Sequence, residues 1–282
     1  MAVFRLVSSH KAHLESCPFG VPSPLVALHD HLFFQDTFLD SEHTEHLTRW
    51  ASEYSVDVIQ PGSYKRSQIA AVVMDMDSTL ITIECIDEIA DFVGKKPEVA
   101  EITEEAMQGK IPFSEALVKR VALLAGLPVS TLEAVYQQRL KLSPGAELML
   151  ESFKAVGAST LLVSGGFSFF TDRLKERLGL DAAYANTLEV QNGLLTGRIE
   201  GDLVDGATKA QHLLRLKASL VNPSEEATKA IVAIGDGSND RLMFAEADVG
   251  VAYHAKPILE SVATYCIRYG GLDTLLAYFS EH

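Results

Sequence analysis

From residue 69 onward, short apolar runs alternate with longer stretches whose apolar positions recur at helical spacing. "AAVVMDM" (70–76), "STLLVSG" (159–165), "AIVAIGD" (230–236) and "ADVGVAY" (247–253) are brief and rich in Val, Ile or Ala. They lack the in-out alternation of a half-exposed strand, so they read as parallel strands buried on both faces. Helical patterns such as "PGAELMLESFKAVG" (144–157) and "ATKAQHLLRLKASL" (207–220) separate them. The alternation predicts an α/β fold with a doubly wound parallel sheet.

Two segments depart from this rhythm. Residues 84–142 are helical in pattern with no strand candidate, which predicts an inserted helical cap. The cap can hinge near Thr82–Glu84 and Ser143–Gly145, at the two ends of the insert. "TLEVQNGLLTGRI" (187–199) places two strand-like runs around Asn192-Gly193, a tight-turn dipeptide, and predicts a hairpin.

Residues 1–68 form a separate, small αβ domain in this reading. "VFRLVS" and "VDVIQ" are its strands, "DSEHTEHLTRWASEY" is a helix capped by Asp40 or Ser41, and "PGSYKRSQ" is a linker to the core at 69–282. Its role is open among binding of a small ligand, homodimer formation and bracing of the core.

Composition narrows the class. A formal charge of −14 on 282 residues argues against general nucleic-acid binding and against an anionic membrane surface. No apolar run approaches the roughly 18 residues of a membrane span. Cys17, Cys85 and Cys266 are odd in number and widely spaced, which fits a cytoplasmic protein without a disulfide framework. Six of nine histidines fall before residue 47, in pairs such as "HKAH" and "HTEH". No cysteine completes a zinc pattern there, so they read as surface residues.

Ligands of open α/β sheets bind at the carboxyl ends of the strands. Polar clusters fall at three such ends: Asp75, Asp77, Ser78 and Thr79; Ser164, Gly165 and Gly166; and Asp236, Asn239 and Asp240. Asp75 and Asp236 are hard oxygen donors suited to sharing Mg2+. Ser164 and the backbone N–H groups of a helix start can receive a phosphate. Lys209 supplies positive charge, although Lys217 and Lys229 remain alternatives on spacing alone. Together these groups suit phosphoryl transfer.

"DMDST" at 75–79, Ser164, Lys209 and "GDGSND" at 235–240, in that order, resemble the four motifs of the haloacid dehalogenase superfamily. The resemblance covers roughly Ile69 to the C-terminus. Within the superfamily, "DMDSTLITIECIDEIA", "DGATKA" and "GVAYHAKP" resemble the phosphoserine phosphatases. The resemblance implies a Mg2+-dependent enzyme that releases L-serine and phosphate at the last step of serine biosynthesis. It implies Asp75 as nucleophile, Asp77 as proton donor and acceptor, and a metal held by Asp75, the Asp77 carbonyl and Asp236, with Asp240 behind them. It further implies a substrate pocket of Glu84, Met107, Phe113, Arg120, Ser164, Gly165, Lys209 and Asn239. Glu84 would face the substrate ammonium and Arg120 its carboxylate. Without the resemblance, Arg120 and Glu84 are ordinary helix-surface charges, Met107 and Phe113 ordinary core residues, and Cys85 a small buried residue.

Two competing functions stay open at this level. One is a phosphotransferase or phosphatase of similar fold acting on another small phosphorylated amino acid, such as phosphohomoserine. The other is an amino-acid-binding regulator with a decayed site, against which the intact Asp75, Asp77, Lys209 and Asp236 argue.

Overall fold

The computed structural model describes residues 2–19, 21–39, 43–107, 110–220 and 229–279. Near the N-terminus, β1 (Ala2–Ser8), β2 (Val21–Pro22), β3 (Val26–His29), β4 (Leu32–Leu39) and β5 (Asp57–Ile59) form one antiparallel sheet. Its order is β2-β4-β1-β5, with β3 also paired to β4. The helices Lys11–Glu15 and Thr44–Glu53 lie in the same segment. Phe4, Leu6, Leu14, Leu47, Trp50, Ala51 and Val56 form its apolar core.

This sheet is richer than the two strands and one helix that the pattern predicts. β4 is paired on both sides and buries Leu32, Phe34, Gln35 and Thr37, so it lacks the alternation of a half-exposed strand. Pro22 and Pro24 disguise the short strands before it. The helix cap expected at Asp40 or Ser41 lies outside the described residues; the helix starts at Thr44, preceded by His43.

The larger sheet contains β6 (Ile69–Met74), β7 (Ser159–Phe167), β8 (Ala182–Gln191), β9 (Leu194–Glu200), β10 (Ala230–Gly235), β11 (Val249–Tyr253) and β12 (Tyr265–Ile267). Its order is β12-β11-β10-β6-β7-β8-β9. β7–β8, β10–β11 and β11–β12 pair in parallel. Every residue of β6 and β10 is buried, as expected of central strands covered on both faces. β8 and β9 form the predicted antiparallel hairpin, and Asn192 and Gly193 take φ of +53° and +78°, the left-handed pair that such a turn requires.

By contact density the chain divides into two compact units, with the boundary inside β6. One comprises Met1–Val72, Ser143–Ser159 and Leu220–His282. Here the N-terminal sheet is tied to the end of the chain: Arg5 Nη1 donates to the Ala277 carbonyl (2.8 Å) and the Gly62 N–H to the Tyr278 carbonyl (2.9 Å). The other comprises Val73–Leu142 and Thr160–Ser219. It holds the insert, built from the helices Cys85–Asp91, Lys96–Met107, Phe113–Ala122 and Ser130–Gln138. The two ends of the insert are stitched together by a bridge between Ile81 and Leu142 and by the Thr82 N–H on the Lys141 carbonyl (3.0 Å). No helix among the described residues is long and apolar enough to cross a membrane.

Candidate active site

The apolar run of β6 drives the strand through the core and delivers Asp75 at its end, 4% exposed. One oxygen of Asp75 accepts the Met76 N–H at 2.7 Å. The next five residues are wound tightly: the Ile81 N–H reaches the Met76 carbonyl (3.0 Å) and the Ser78 N–H the Ile83 carbonyl (3.2 Å). Ser78 adopts φ +54°, a left-handed conformation that a serine holds only at a cost. Within this turn Asp77 is extended, and its Oδ1 accepts the Cys85 N–H at 3.0 Å.

The second oxygen of Asp75 meets Lys209 Nζ at 2.5 Å. Asp205 starts the helix Gly206–Leu220 by accepting the Thr208 N–H (2.9 Å) and the Thr208 hydroxyl (3.2 Å). That cap fixes Lys209 in the first turn, where the side chain is completely buried. Of the three lysines left open by spacing, Lys209 makes this contact.

Ser164 sits near the end of β7, 1% exposed, and its Oγ accepts the Gly166 N–H at 2.9 Å. With a lone pair thus occupied, the hydroxyl hydrogen is directed elsewhere and can serve a ligand oxygen. Gly166 lies hard against the first cluster. A methyl on its Cα would stand 2.5 Å from Asp77 Oδ2, 2.8 Å from Met76 Cε and 3.1 Å from Ser164 Oγ. Asp77 and Ser164 therefore share one small space that only glycine leaves open.

Burial, followed by the charge of Glu84, pushes the Asp77 carboxyl well above the ordinary carboxylate range, and Asp75 adds to the effect. Hydrogen bonding at Cys85 opposes it. Asp77 is thereby disposed to hold a proton.

The cap residues converge unevenly. Glu84 is exposed, and its Oε1 accepts the Ser78 hydroxyl at 2.7 Å. Phe113, 38% exposed, reaches over Gly165, where an added methyl would lie 3.1 Å from its Cζ. Arg120 is half-buried, bonded at 3.4 Å to Thr103 Oγ1 and at 3.4 Å to the Ala116 carbonyl. Desolvation lowers its pKa, against the charges of Asp87, Glu84 and Asp77. The side chain of Met107 lies outside the described residues.

After β10, Asp240 is fully buried and accepts the Gly237 N–H at 3.2 Å. The Asp236 carbonyl accepts the Lys256 N–H at 3.0 Å. Asn239 folds back over Gly237, its Oδ1 2.4 Å from where a methyl would stand. Asp75 at the end of β6, and Asp236 and Asp240 after β10, offer hard carboxylate oxygens, the donor type that a divalent cation such as Mg2+ prefers.

Sequence reasoning missed Asn186. It is 1% exposed, donates to the carbonyls of Gly165 (2.8 Å) and Val204 (3.3 Å), and accepts the Val204 N–H (2.8 Å). It fixes the backbone beside Ser164. The only signal was a polar residue at a strand position, which spacing alone does not distinguish from a surface asparagine.

The profile of the haloacid dehalogenase-like hydrolases matches residues 72–245. A phosphoserine phosphatase from Polaromonas sp. is 48% identical over 227 residues, covering 78% of this chain and 94% of that protein. A crystal structure of a haloacid dehalogenase family hydrolase from Salmonella enterica serovar Typhi superposes with a TM-score of 0.84 at 30% identity, over 100% of both chains. A phosphoserine phosphatase solved as a phospho-aspartyl intermediate analogue superposes with a TM-score of 0.68 at 40% identity, over 75% of this chain and 99% of that one.

Proposed function

The chain belongs to the haloacid dehalogenase-like hydrolase family, and from that premise we infer that it is a phosphoserine phosphatase, hydrolysing O-phospho-L-serine to L-serine and phosphate. The observation that carries this reading is the buried Lys209–Asp75 contact beside a carboxyl, Asp77, that burial disposes to stay protonated.

Asp75 attacks phosphorus through a carboxylate oxygen and becomes an aspartyl-phosphate. Asp77 gives its proton to the departing serine oxygen, which would otherwise leave as a poor alkoxide. The same carboxylate, now without its proton, takes one from the water that attacks the phosphoenzyme. Lys209 and the Ser164 hydroxyl offset charge on the phosphoryl oxygens, and Asn186 holds the backbone next to Ser164 in place.

Asp75, Asp236 and the Asp77 backbone carbonyl would hold a divalent cation, for which we propose Mg2+, with Asp240 behind them. When bound, the ion neutralises charge on the transferring phosphoryl group. In the substrate pocket, Glu84 faces the ammonium, Arg120 the carboxylate and Phe113 the apolar body, with Gly165 and Asn239 completing the lining. Among the carboxyls that act on Arg120, Asp87 comes first, and the presence of Glu84 and Asp77 after it supports placing Arg120 near the reacting groups.

We retain residues 1–68 as a small αβ domain, 69–282 as the phosphatase core and about 84–142 as its cap. The free thiols of Cys17, Cys85 and Cys266 support a reducing, cytoplasmic setting. Acid quench of the reaction with radiolabelled phosphoserine tests the mechanism. Label should be recovered on the peptide carrying Asp75, and Asp75→Asn should abolish both label and turnover. Label on another residue, or near-normal turnover in a folded Asp75→Asn variant, would refute it.

A further inference from the structure

We propose that Asp57, in the N-terminal sheet, is a positioning residue for the catalytic loop that carries Asp236. The proposal rests on the reading of Asp236 as a metal ligand. Asp57 lies on β5 and is 3% exposed. Its two oxygens take three successive backbone N–H groups: Oδ1 from Arg268 (2.7 Å) and Tyr269 (3.2 Å), and Oδ2 from Gly270 (2.8 Å). A carboxylate filling a run of consecutive amides fixes the path of that backbone.

The held segment leads to the site. The Gly270 carbonyl is 2.9 Å from His254 Nε2, and the His254 N–H donates to the Ile267 carbonyl at 2.8 Å. His254 has φ +44°, a conformation that persists only where the surroundings impose it. Two residues later, the Lys256 N–H donates to the Asp236 carbonyl at 3.0 Å. The turn 254–256 is thus gripped on one side by the segment that Asp57 clamps, and on the other it anchors the residue placed on the metal.

Two other ties from the N-terminal segment take a different path. Arg5 bonds the carbonyl of Ala277, the last residue of the 3-10 turn Leu272–Ala277, and Gly62 the carbonyl of Tyr278, the residue after it. They attach the sheet to the chain end without touching 268–270. Loss of Asp57 should therefore loosen the Asp236 loop, while loss of Arg5 should only loosen the attachment.

The test compares Asp57→Ala with Arg5→Met in the full chain, with Asp57→Asn as the shape-preserving variant. Two readouts are taken on each: hydrogen exchange of the 236–256 amides, and the rise of the unfolding midpoint with Mg2+ alone. Asp57→Ala should speed exchange at Lys256 and weaken Mg2+ binding by about tenfold, at the low end of effects seen for groups that orient metal ligands. Asp57→Asn should fall between it and wild type, and Arg5→Met should lose stability with neither effect. Equal exchange at Lys256 in Asp57→Ala and Arg5→Met would overturn the proposal, leaving Asp57 a general attachment. A wild-type chain that does not respond to Mg2+ would instead overturn the metal reading, and the exchange result would still decide the role of Asp57.

Discussion

Lys209 Nζ stands 2.5 Å from Asp75 Oδ2, with the lysine wholly buried and the aspartate side chain 6% exposed. Removing one partner of such a pair leaves an uncompensated charge out of water, which typically costs about 3–5 kcal/mol. Lys209→Met should therefore lose turnover and about that much unfolding free energy in chelator, measured by urea denaturation. A variant as stable as wild type would show that the pair does not hold the site together.

Gly166 has no room for a side chain. Its α-hydrogen faces Asp77 Oδ2, Met76 Cε and Ser164 Oγ, each within about an ångström of overlap with a methyl group. Gly166→Ala should push the Asp77 carboxyl away from the substrate and cut kcat/KM by about a hundredfold, as a misplacement of this size can. Circular dichroism should report an unchanged fold. Unaltered kcat/KM would mean that this contact does not set the geometry of the proton donor.

The sequence exposed the central strands because β6 and β10 are buried on both faces and so run apolar without interruption. Motif order singled out Asp75, Ser164 and Lys209, and the pairing of Lys209 with Asp75 agrees with that grouping. The sequence did not reveal β12, three residues long and too short to show a period, or β4, whose two-sided burial erases alternation. Asn186 and Asp57 escaped for a different reason. Each acts by gripping backbone that is distant in sequence, Asn186 at Gly165 and Asp57 at 268–270, and neither partner is written in the local pattern.

Asp77 is assigned to protonate a poor leaving group, so its loss should depend on what leaves. Asp77→Asn should reduce phosphoserine turnover by about a hundredfold to ten-thousandfold. An aryl phosphate leaves without that proton, and should give a burst of about one aryl alcohol per site followed by slow phosphoenzyme hydrolysis. Stopped-flow absorbance reads both phases. Equal slowing of the first step for both substrates would remove Asp77 from the acid role.

Burial lifts the thiol of Cys85 well above its ordinary range, and the neighbouring carboxyl groups, Asp77 first, add to this. A raised pKa means less thiolate at any given pH, so Cys85 should resist alkylation at pH 8. Cys17 and Cys266, also shifted upward but only half-buried, should react first. Mass spectrometry of the native protein after iodoacetamide treatment checks the order. Early labelling of Cys85 would show that the segment around Asp77 opens far more readily than its packing implies.

In the proposed mechanism the groups around Asp75 act on the phosphate ester alone, so selectivity for phosphoserine would come from the charges that meet its amino-acid end. Arg120 is a half-buried cation with Asp87 foremost among the carboxyls acting on it, followed by Glu84 and Asp77. Its fork geometry suits a carboxylate, and losing one charge-assisted contact typically costs about 1.5–3 kcal/mol, or roughly tenfold to a hundredfold in specificity. The direct test is kcat/KM of Arg120→Ala on phosphoserine and on an aryl phosphate, measured on one preparation. The account predicts a fall of about tenfold to a hundredfold on phosphoserine and almost none on the aryl ester. An equal fall on both substrates would make Arg120 structural and contradict the assignment of phosphoserine as the substrate that this site selects.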